Sequence, residues 1–276
     1  KIFLMLFLHM TGELVFGKEY DDFEVINLED SHIIKFENSS ITVKKLHWDS
    51  KILNLNIYRI IDMNIENYNL VDKFLSFLKL NFEDIKCLVY KVEAGKIDLV
   101  QKLLKNNFIL AGLPIKLSIK LNNLNLSSSE LVRPFKNEDI NILSNMAKNS
   151  FLASYRYNDA GFDKNKINEL YSEWIINSCN GRADTVLVYD NNGIPEGFIA
   201  CNLNKDKGII DLVAVSENSR GKGIGLKLVS NSLLWFKERV NLVEVSTEAM
   251  NYASLNIYHK AGFKIIWTGF DLNYWY

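Results

Sequence analysis

The chain has 276 residues, 48% of them hydrophobic, enough to bury one or two cores. With 32 basic against 33 acidic residues its net charge is −1, which gives no global field to recruit nucleic acid or an anionic membrane. Cys87, Cys179 and Cys201 lie far apart, as do His9, His32, His47 and His259, so neither a disulfide framework nor a metal site is expected.

Lys1 to Met10 is a short, nearly continuous apolar run behind one lysine. A membrane span needs about 20 such residues, and a secretory signal wants a longer basic start and a small-residue cleavage site. A buried strand or docking segment of a soluble, cytoplasmic protein is therefore expected. The missing initial Met suggests that the chain starts inside a longer reading frame. His47-Trp48-Asp49-Ser50 reads as a packing anchor and a turn. Cys87–Val92 is a strand candidate, and Ile97, Val100, Gln101 and Leu104 recur at helical spacing. Phe108 opens a strand, and Ile115, Leu117, Ile119 and Leu121 alternate as in a half-buried one. Asn122–Glu130 has the composition of a linker, dividing an N-terminal α/β domain (1–126) from a C-terminal one (130–276).

Beyond it, Asn137-Glu138-Asp139 precedes an apolar-periodic helix with Ile140, Leu143, Met146 and Ala147, the acids favouring its N-terminus. A polar, aromatic loop spans Ser150–Tyr157, followed by a helix carrying Leu170, Tyr171, Trp174 and Ile175. Thr185–Tyr189 and Gly197–Leu203 read as strands joined through Asp190-Asn191-Asn192-Gly193. The run Ile209–Val215 is a strand that feeds Arg220-Gly221-Lys222-Gly223-Ile224-Gly225 and then a helix. Leu242–Thr247 is another strand, Tyr252–Ala261 a helix ended by Gly262, and Phe263–Trp267 and Asp271–Tyr276 are strands. Strands that outnumber helices while alternating with them give a mixed-sheet α/β or α+β fold. The aromatic tail Asn273–Tyr276 offers strand pairing to a second copy, hence a homodimer.

Strand, glycine loop, helix is the order an anion cradle needs. The first backbone N–H groups of a helix have no intrahelical acceptor and sit at the positive end of its dipole, and glycines let them approach phosphate oxygens. The dinucleotide fingerprint is not matched, nor is the phosphate loop ending in Gly-Lys-Ser/Thr. Asn251 and Tyr258 lie seven residues apart, nearly two helical turns, and so share a face. An amide there suits a cofactor's amide arm. A phenol, with an ordinary pKa near ~10 against ~8.5 for a thiol, stays protonated at neutral pH and can donate to a departing thiolate.

The pair of motifs, Val-x-Val with Arg-Gly-x-Gly-x-Gly and then Asn-x-x-Ala-x-x-x-Tyr-x-x-x-Gly-Phe, resembles the Gcn5-related N-acetyltransferase (GNAT) superfamily. The resemblance implies a mixed sheet flanked by helices and acetyl-CoA as donor. It implies that Arg220, Gly221, Lys222, Gly223, Ile224 and Gly225 hold the pyrophosphate and that Leu212, Val213, Ala214 and Val215 line the pantetheine arm and polarise the acetyl carbonyl. Asn251 would contact the cofactor and Tyr258 would be the general acid. From about Leu46 onward the chain is similar, more narrowly, to dTDP-fucosamine acetyltransferases, through His47–Ser50, Lys91–Leu117, Ser150–Tyr157, Tyr171–Trp174, Asn177-Ser178 and Gly181–Asp184. That likeness implies an N-acetyl transfer to a nucleotide-linked 4-amino sugar for surface polysaccharide, and a smaller N-terminal domain. Residues 1–40 lie outside it, and Ser154-Tyr155-Arg156-Tyr157 departs from a more usual Ser-Arg-Phe run.

Arg156 is the candidate for the sugar nucleotide's diphosphate, and Tyr155 or Tyr157 for stacking on its base. Ser246 stands where some relatives carry a glutamate base, which leaves water or Glu248 to deprotonate the amine. Two other readings stay open: an acetyltransferase acting on a protein N-terminus, amino acid or other small amine, and a non-catalytic acetyl-CoA-binding module.

Overall fold

The computed structural model describes residues 22–82, 84–122 and 128–276. The Lys1–Met10 segment and most of the expected linker lie outside the described residues. The N-terminal half runs β1 (Glu24–Asn27), β2 (His32–Phe36), β3 (Ser39–Lys45), α1 (His47–Leu53), β4 (Ile57–Asn64), α2 (Val71–Asn81), β5 (Cys87–Glu93), α3 (Ile97–Lys105), β6 (Ile109–Gly112) and β7 (Pro114–Lys120). The C-terminal half runs β8 (Val132–Pro134), α4 (Ile140–Lys148), α5 (Tyr155–Asn158), α6 (Lys164–Asn177), β9 (Thr185–Asn191), β10 (Ile194–Asn204), β11 (Lys207–Val215), α7 (Ile224–Lys237), β12 (Leu242–Glu248), α8 (Tyr252–Lys260) and β13 (Lys264–Trp275).

All the strands join one mixed sheet in the order β1-β2-β3-β4-β5-β13-β7-β12-β11-β10-β9-β8, with β6 paired to β13. Read outward from the central β13–β7 pair, the order is nearly palindromic. Each half has a hairpin, a strand, a crossover helix, a parallel strand, a second helix and a last strand. Those last strands are exchanged: β7 pairs with β12 of the other half, and β13 with β5. The two halves are thus sewn together by backbone hydrogen bonds as well as by packing.

Burial follows the strand alternation. On one face α2 and α3 cover Ile60, Leu88, Tyr90 and Val92, and α7 and α8 cover Ile199, Cys201, Val243 and Val245. On the other face α1, α4 and α6 cover a core that crosses from Cys87 and Val89 to Val186, Phe198 and Leu212. Arg133 ties the start of the second half together. Its guanidinium bonds Asp139 at 2.7 Å and Asp190 at 2.6 Å, while Asp139 also accepts the Lys136 N–H just ahead of α4.

Several sequence expectations shift in register. Ile97 and Leu104 are exposed, and the buried stripe of α3 is Leu99, Val100 and Leu103. The two expected C-terminal strands are a single one, β13, with a register shift between Ile265 and Trp267 absorbing the irregularity. The aromatic tail is not a free edge. Asn273, Tyr274 and Trp275 pair with Val89, Leu88 and Cys87, and Asn273 also faces Ile109. Within the tail Asn273 has strand partners on both sides, whereas Tyr274 and Trp275 are paired on the β5 side alone, so pairing to a second copy has at most these last residues to use. No helix among the described residues is long and apolar enough to cross a membrane.

Candidate active site

The strands β11 and β12 run parallel but are paired only where Lys207–Ile210 face Leu242–Val245. Beyond Ile210 they separate, while Leu212–Val215 stay bonded to β10 on their other side. The inner edge of Leu212–Val215 thus keeps backbone N–H and C=O groups facing a gap, where a chain-like ligand can take the place of a strand. The gap opens into a cleft of about 1050 Å³.

At one end of the cleft β11 leads through a turn into α7. Gly221 and Gly223 have φ of +80° and +79°, a left-handed backbone that a side chain would strain, and Gly223 caps α7. Gly225 serves a different need: a Cβ there would lie 2.6 Å from Ile257 Cδ1, so the missing side chain lets α7 and α8 approach. The first-turn N–H groups of α7 consequently open on the cleft at the positive end of a 14-residue helix.

Of the residues singled out from the sequence, Leu212, Val213, Ala214, Val215, Arg220, Gly221, Gly223, Ile224, Gly225, Asn251, Tyr258, Tyr155 and Arg156 all line this cleft. Lys222 and Tyr157 do not; Tyr157 instead packs under Lys164, whose Nζ is 4.5 Å from the ring centre. Asn251 is the N-cap of α8, its side-chain oxygen accepting the Ser254 N–H at 3.2 Å, which leaves its NH₂ group for the cleft. Tyr258 is 4% exposed, its ring tilted against Phe263, and burial pushes its phenol well above the ordinary value. The phenol therefore holds its proton throughout the neutral range.

Arg156 is not free to receive a diphosphate. It is buried, hydrogen-bonded and ion-paired to Asp49 of α1, and lies 4.6 Å over the Tyr155 ring. Arg156 thereby covers one face of the Tyr155 ring. The pair of charges locks α5 onto the N-terminal half. Arg156→Ala should therefore cost about 3–5 kcal/mol by stranding the Asp49 carboxylate, read as a drop in Tm that Asp49→Ala in the same chain partly reverses.

Sequence reasoning missed an aromatic wall of the cleft. Phe151 stacks on Tyr171 with ring centres 4.4 Å apart, and Tyr171 lies parallel to Trp174 at 6.0 Å. All three line the cleft. Trp174 Nε1–H donates to Asp211 at 2.8 Å, and Arg182 sits 4.7 Å over the indole, fixing its plane. The 3.6-residue periodicity of α6 marks Tyr171 and Trp174 as core, and they do abut it. Their cleft-facing surface depends on where the Ser150–Tyr157 segment folds. Glu248 also lines the cleft, with its carboxyl pushed up to about 7 by burial and by Asp271, against a pull from Lys91 and the Leu113 N–H.

Comparison with known proteins agrees with this geometry. Residues 147–263 match the acetyltransferase (GNAT) family. The spore coat polysaccharide biosynthesis protein SpsD of Bacillus subtilis (strain 168) is 29% identical over 126 residues, covering 45% of this chain and 44% of that protein. The uncharacterized N-acetyltransferase MJ1207 of Methanocaldococcus jannaschii is 28% identical over 127 residues, covering 41% of this chain and 55% of that protein. The chain thus spans about half the length of the curated relatives it matches. Among solved structures, a GCN5-related N-acetyltransferase from Sphaerobacter thermophilus superposes with a TM-score of 0.64 at 14% identity, over 91% of this chain and 82% of that one.

Proposed function

We propose that the chain, whose residues 147–263 match the acetyltransferase (GNAT) family, is an acyltransferase that moves the acetyl group of acetyl-CoA to the amino group of a nucleotide-linked amino sugar. The observation that carries this reading is one continuous cleft. It joins the Arg220–Gly225 turn, the free edge of Leu212–Val215, the Tyr258 phenol and the Phe151–Tyr171–Trp174 wall. Its volume of about 1050 Å³ lies at the upper end of the range common for small-molecule sites, about 300–1,000 Å³.

In this reading the amides of residues 221–225 and Arg220 hold the diphosphate of the donor, and the edge of Leu212–Val215 takes the pantetheine amides. Asn251 supplies an NH₂ donor to the same arm. A backbone N–H of Leu212–Val215 polarises the thioester carbonyl as negative charge develops on it. The amine attacks in its neutral form, and the tetrahedral adduct collapses with breakage of the C–S bond. The Tyr258 O–H donates to the departing sulfur and is reprotonated by the proton the nitrogen sheds. Holding donor and acceptor in line along one groove supplies much of the rate.

The aromatic wall is the place for the nucleobase, in keeping with the polysaccharide role in the SpsD name. The division of the chain near residues 126–130 belongs to the same reading, with the N-terminal half as scaffold. Its β4–α2 connection, Ile65 to Leu70, contains no glycine and so makes no second anion cradle. Thiol release should be tested against thymidine-diphosphate-linked 4-amino and 3-amino sugars, free amino sugars, amino acids and short peptides. Turnover is expected with a nucleotide-linked amino sugar, at a kcat/KM at least about 100-fold above that for the free sugar, since the nucleotide's contacts are lost with it. Turnover confined to peptides or simple amines would replace the sugar assignment.

A further inference from the structure

Around the exchanged strands β7 and β13, three strands of the sheet (β5, β12 and β13) bring charge to one point beside the cleft. Asp271 on β13 stands directly across from Lys91 on β5 and from Gly112 on β6. Glu248 ends β12 across from Pro114. A Cβ on Gly112 would lie 3.0 Å from Glu248 Oε2, 3.3 Å from Asp271 Oδ2 and 2.9 Å from Tyr155 Cβ. Both carboxylates therefore press against the same bare backbone.

Asp271 is only 5% exposed, and its Oδ2 has no hydrogen-bond partner. Its Oδ1 is 3.5 Å from Lys91 Nζ, and Lys91 itself borders the cleft. Glu248 Oε2 accepts the Leu113 N–H at 3.0 Å and is half-buried at the cleft wall. A buried acceptor left without a donor costs free energy, so an orphaned carboxylate oxygen beside a second carboxylate calls for a proton. Two carboxyl groups this close, with one half-exposed lysine nearby, titrate as a pair and do not both ionise readily. Burial pushes Asp271 toward its neutral form more strongly than Lys91, and after it Arg59 and Arg156, pull it toward the charged one. The Tyr155 phenol, pushed up to about 12 by burial, stays neutral beside them.

We propose that Glu248 and Asp271 form a proton-sharing carboxylate pair that accepts the proton of the acceptor's ammonium group, Glu248 as the catalytic base and Asp271 as its positioning residue. The inference rests on the acetyl-transfer reading above. The ammonium N–H bond breaks, its proton goes to Glu248 Oε, and its electron pair stays on nitrogen as the nucleophile. After the C–S bond breaks and Tyr258 has cycled its proton, the amide and the free thiol leave. Glu248 then returns the captured proton to solvent. Carboxyl groups of ordinary affinity would be weak bases for an amine, whereas a pair holding one proton near neutrality matches the task.

Two measurements test this on the full-length protein. In the resting protein, ¹³C-carboxyl titration should show one carboxyl with a midpoint near 7. That signal should vanish in Glu248→Gln, move to lower pH in Asp271→Asn and move to higher pH in Lys91→Met. In thiol release with the amine that turns over, kcat/KM should fall on the acid side with the same midpoint. Asp271→Asn should shift that limb to lower pH while leaving acetyl-CoA affinity unchanged, and Glu248→Gln should lower kcat about 100-fold and abolish the limb. All carboxyls titrating in the ordinary range, or Glu248→Gln keeping both rate and limb, would overturn the pair while acetyl transfer itself stands. No affinity for acetyl-CoA would instead sink the acetyl-transfer reading, and the base assignment with it.

Discussion

Tyr258→Phe should lower kcat by about 10²- to 10⁴-fold, the usual span for a lost general acid, with acetyl-CoA affinity nearly unchanged. The substitution removes one hydroxyl from a ring that is 4% exposed and rests on Phe263, so the packing of α8 on the sheet survives. Burial that drives the phenol's pKa up also disfavours the thiolate anion leaving into the same space. Proton transfer between them exchanges one poorly solvated anion for another, and the nitrogen's shed proton quenches the second. A thioester whose thiol is already acidic needs no such help. With an aryl thioester as donor, the deficit of Tyr258→Phe should shrink by at least tenfold, which a merely structural role would not produce. Unchanged turnover at intact acetyl-CoA affinity would remove the proton-donor role.

The parts of this site legible in sequence are those written in local geometry. The turn after β11 announces itself because a left-handed backbone at Gly221 and Gly223 needs glycine, and because a helix begins where the glycines stop. Asn251 and Tyr258 both line the cleft, although Asn251 stands just outside α8 with non-helical backbone angles and spends its oxygen on capping it. Arg156 misleads for the opposite reason. Its partner, Asp49, lies 107 positions away, and a cation in a polar loop looks the same in sequence whether it meets a phosphate or a carboxylate. The same holds for Asp271, whose neighbours Lys91, Gly112 and Glu248 come from three other strands. The exchange of β7 and β13 is likewise silent. Alternation in Ile115–Leu121 shows that the strand is half-buried, but two neighbouring slots in one sheet accept the same alternation. Short, charged β1 and β2 at the N-terminal edge carry too few apolar positions for a period to register.

Gly223→Val and Gly225→Val should each weaken acetyl-CoA binding at least about 10- to 100-fold, the loss of one or two hydrogen bonds to charged oxygens at about 1.5–3 kcal/mol each. The two act by different routes. At Gly223 a β-branched residue is forced against φ of +79°, so the turn relaxes and the first-turn amides of α7 no longer converge. At Gly225 the backbone can keep its shape, but the new side chain meets Ile257 Cδ1 at 2.6 Å from the Cβ position, prising α8 away from α7 and carrying Tyr258 with it. Comparing donors separates these effects. A truncated acetyl thioester that lacks the diphosphate never uses the cradle, so Gly223→Val should turn it over at nearly the wild-type rate while failing with acetyl-CoA. Gly225→Val should be slow with both donors, because the phenol is displaced as well as the amides. Trimming Ile257 to Ala in the Gly225→Val chain reopens the space and should recover activity toward the truncated thioester, with no comparable rescue of Gly223→Val. Calorimetric titration of acetyl-CoA, beside thermal melts to confirm that each variant is folded, supplies the check. Wild-type affinity in Gly223→Val would place the donor's diphosphate somewhere other than this turn.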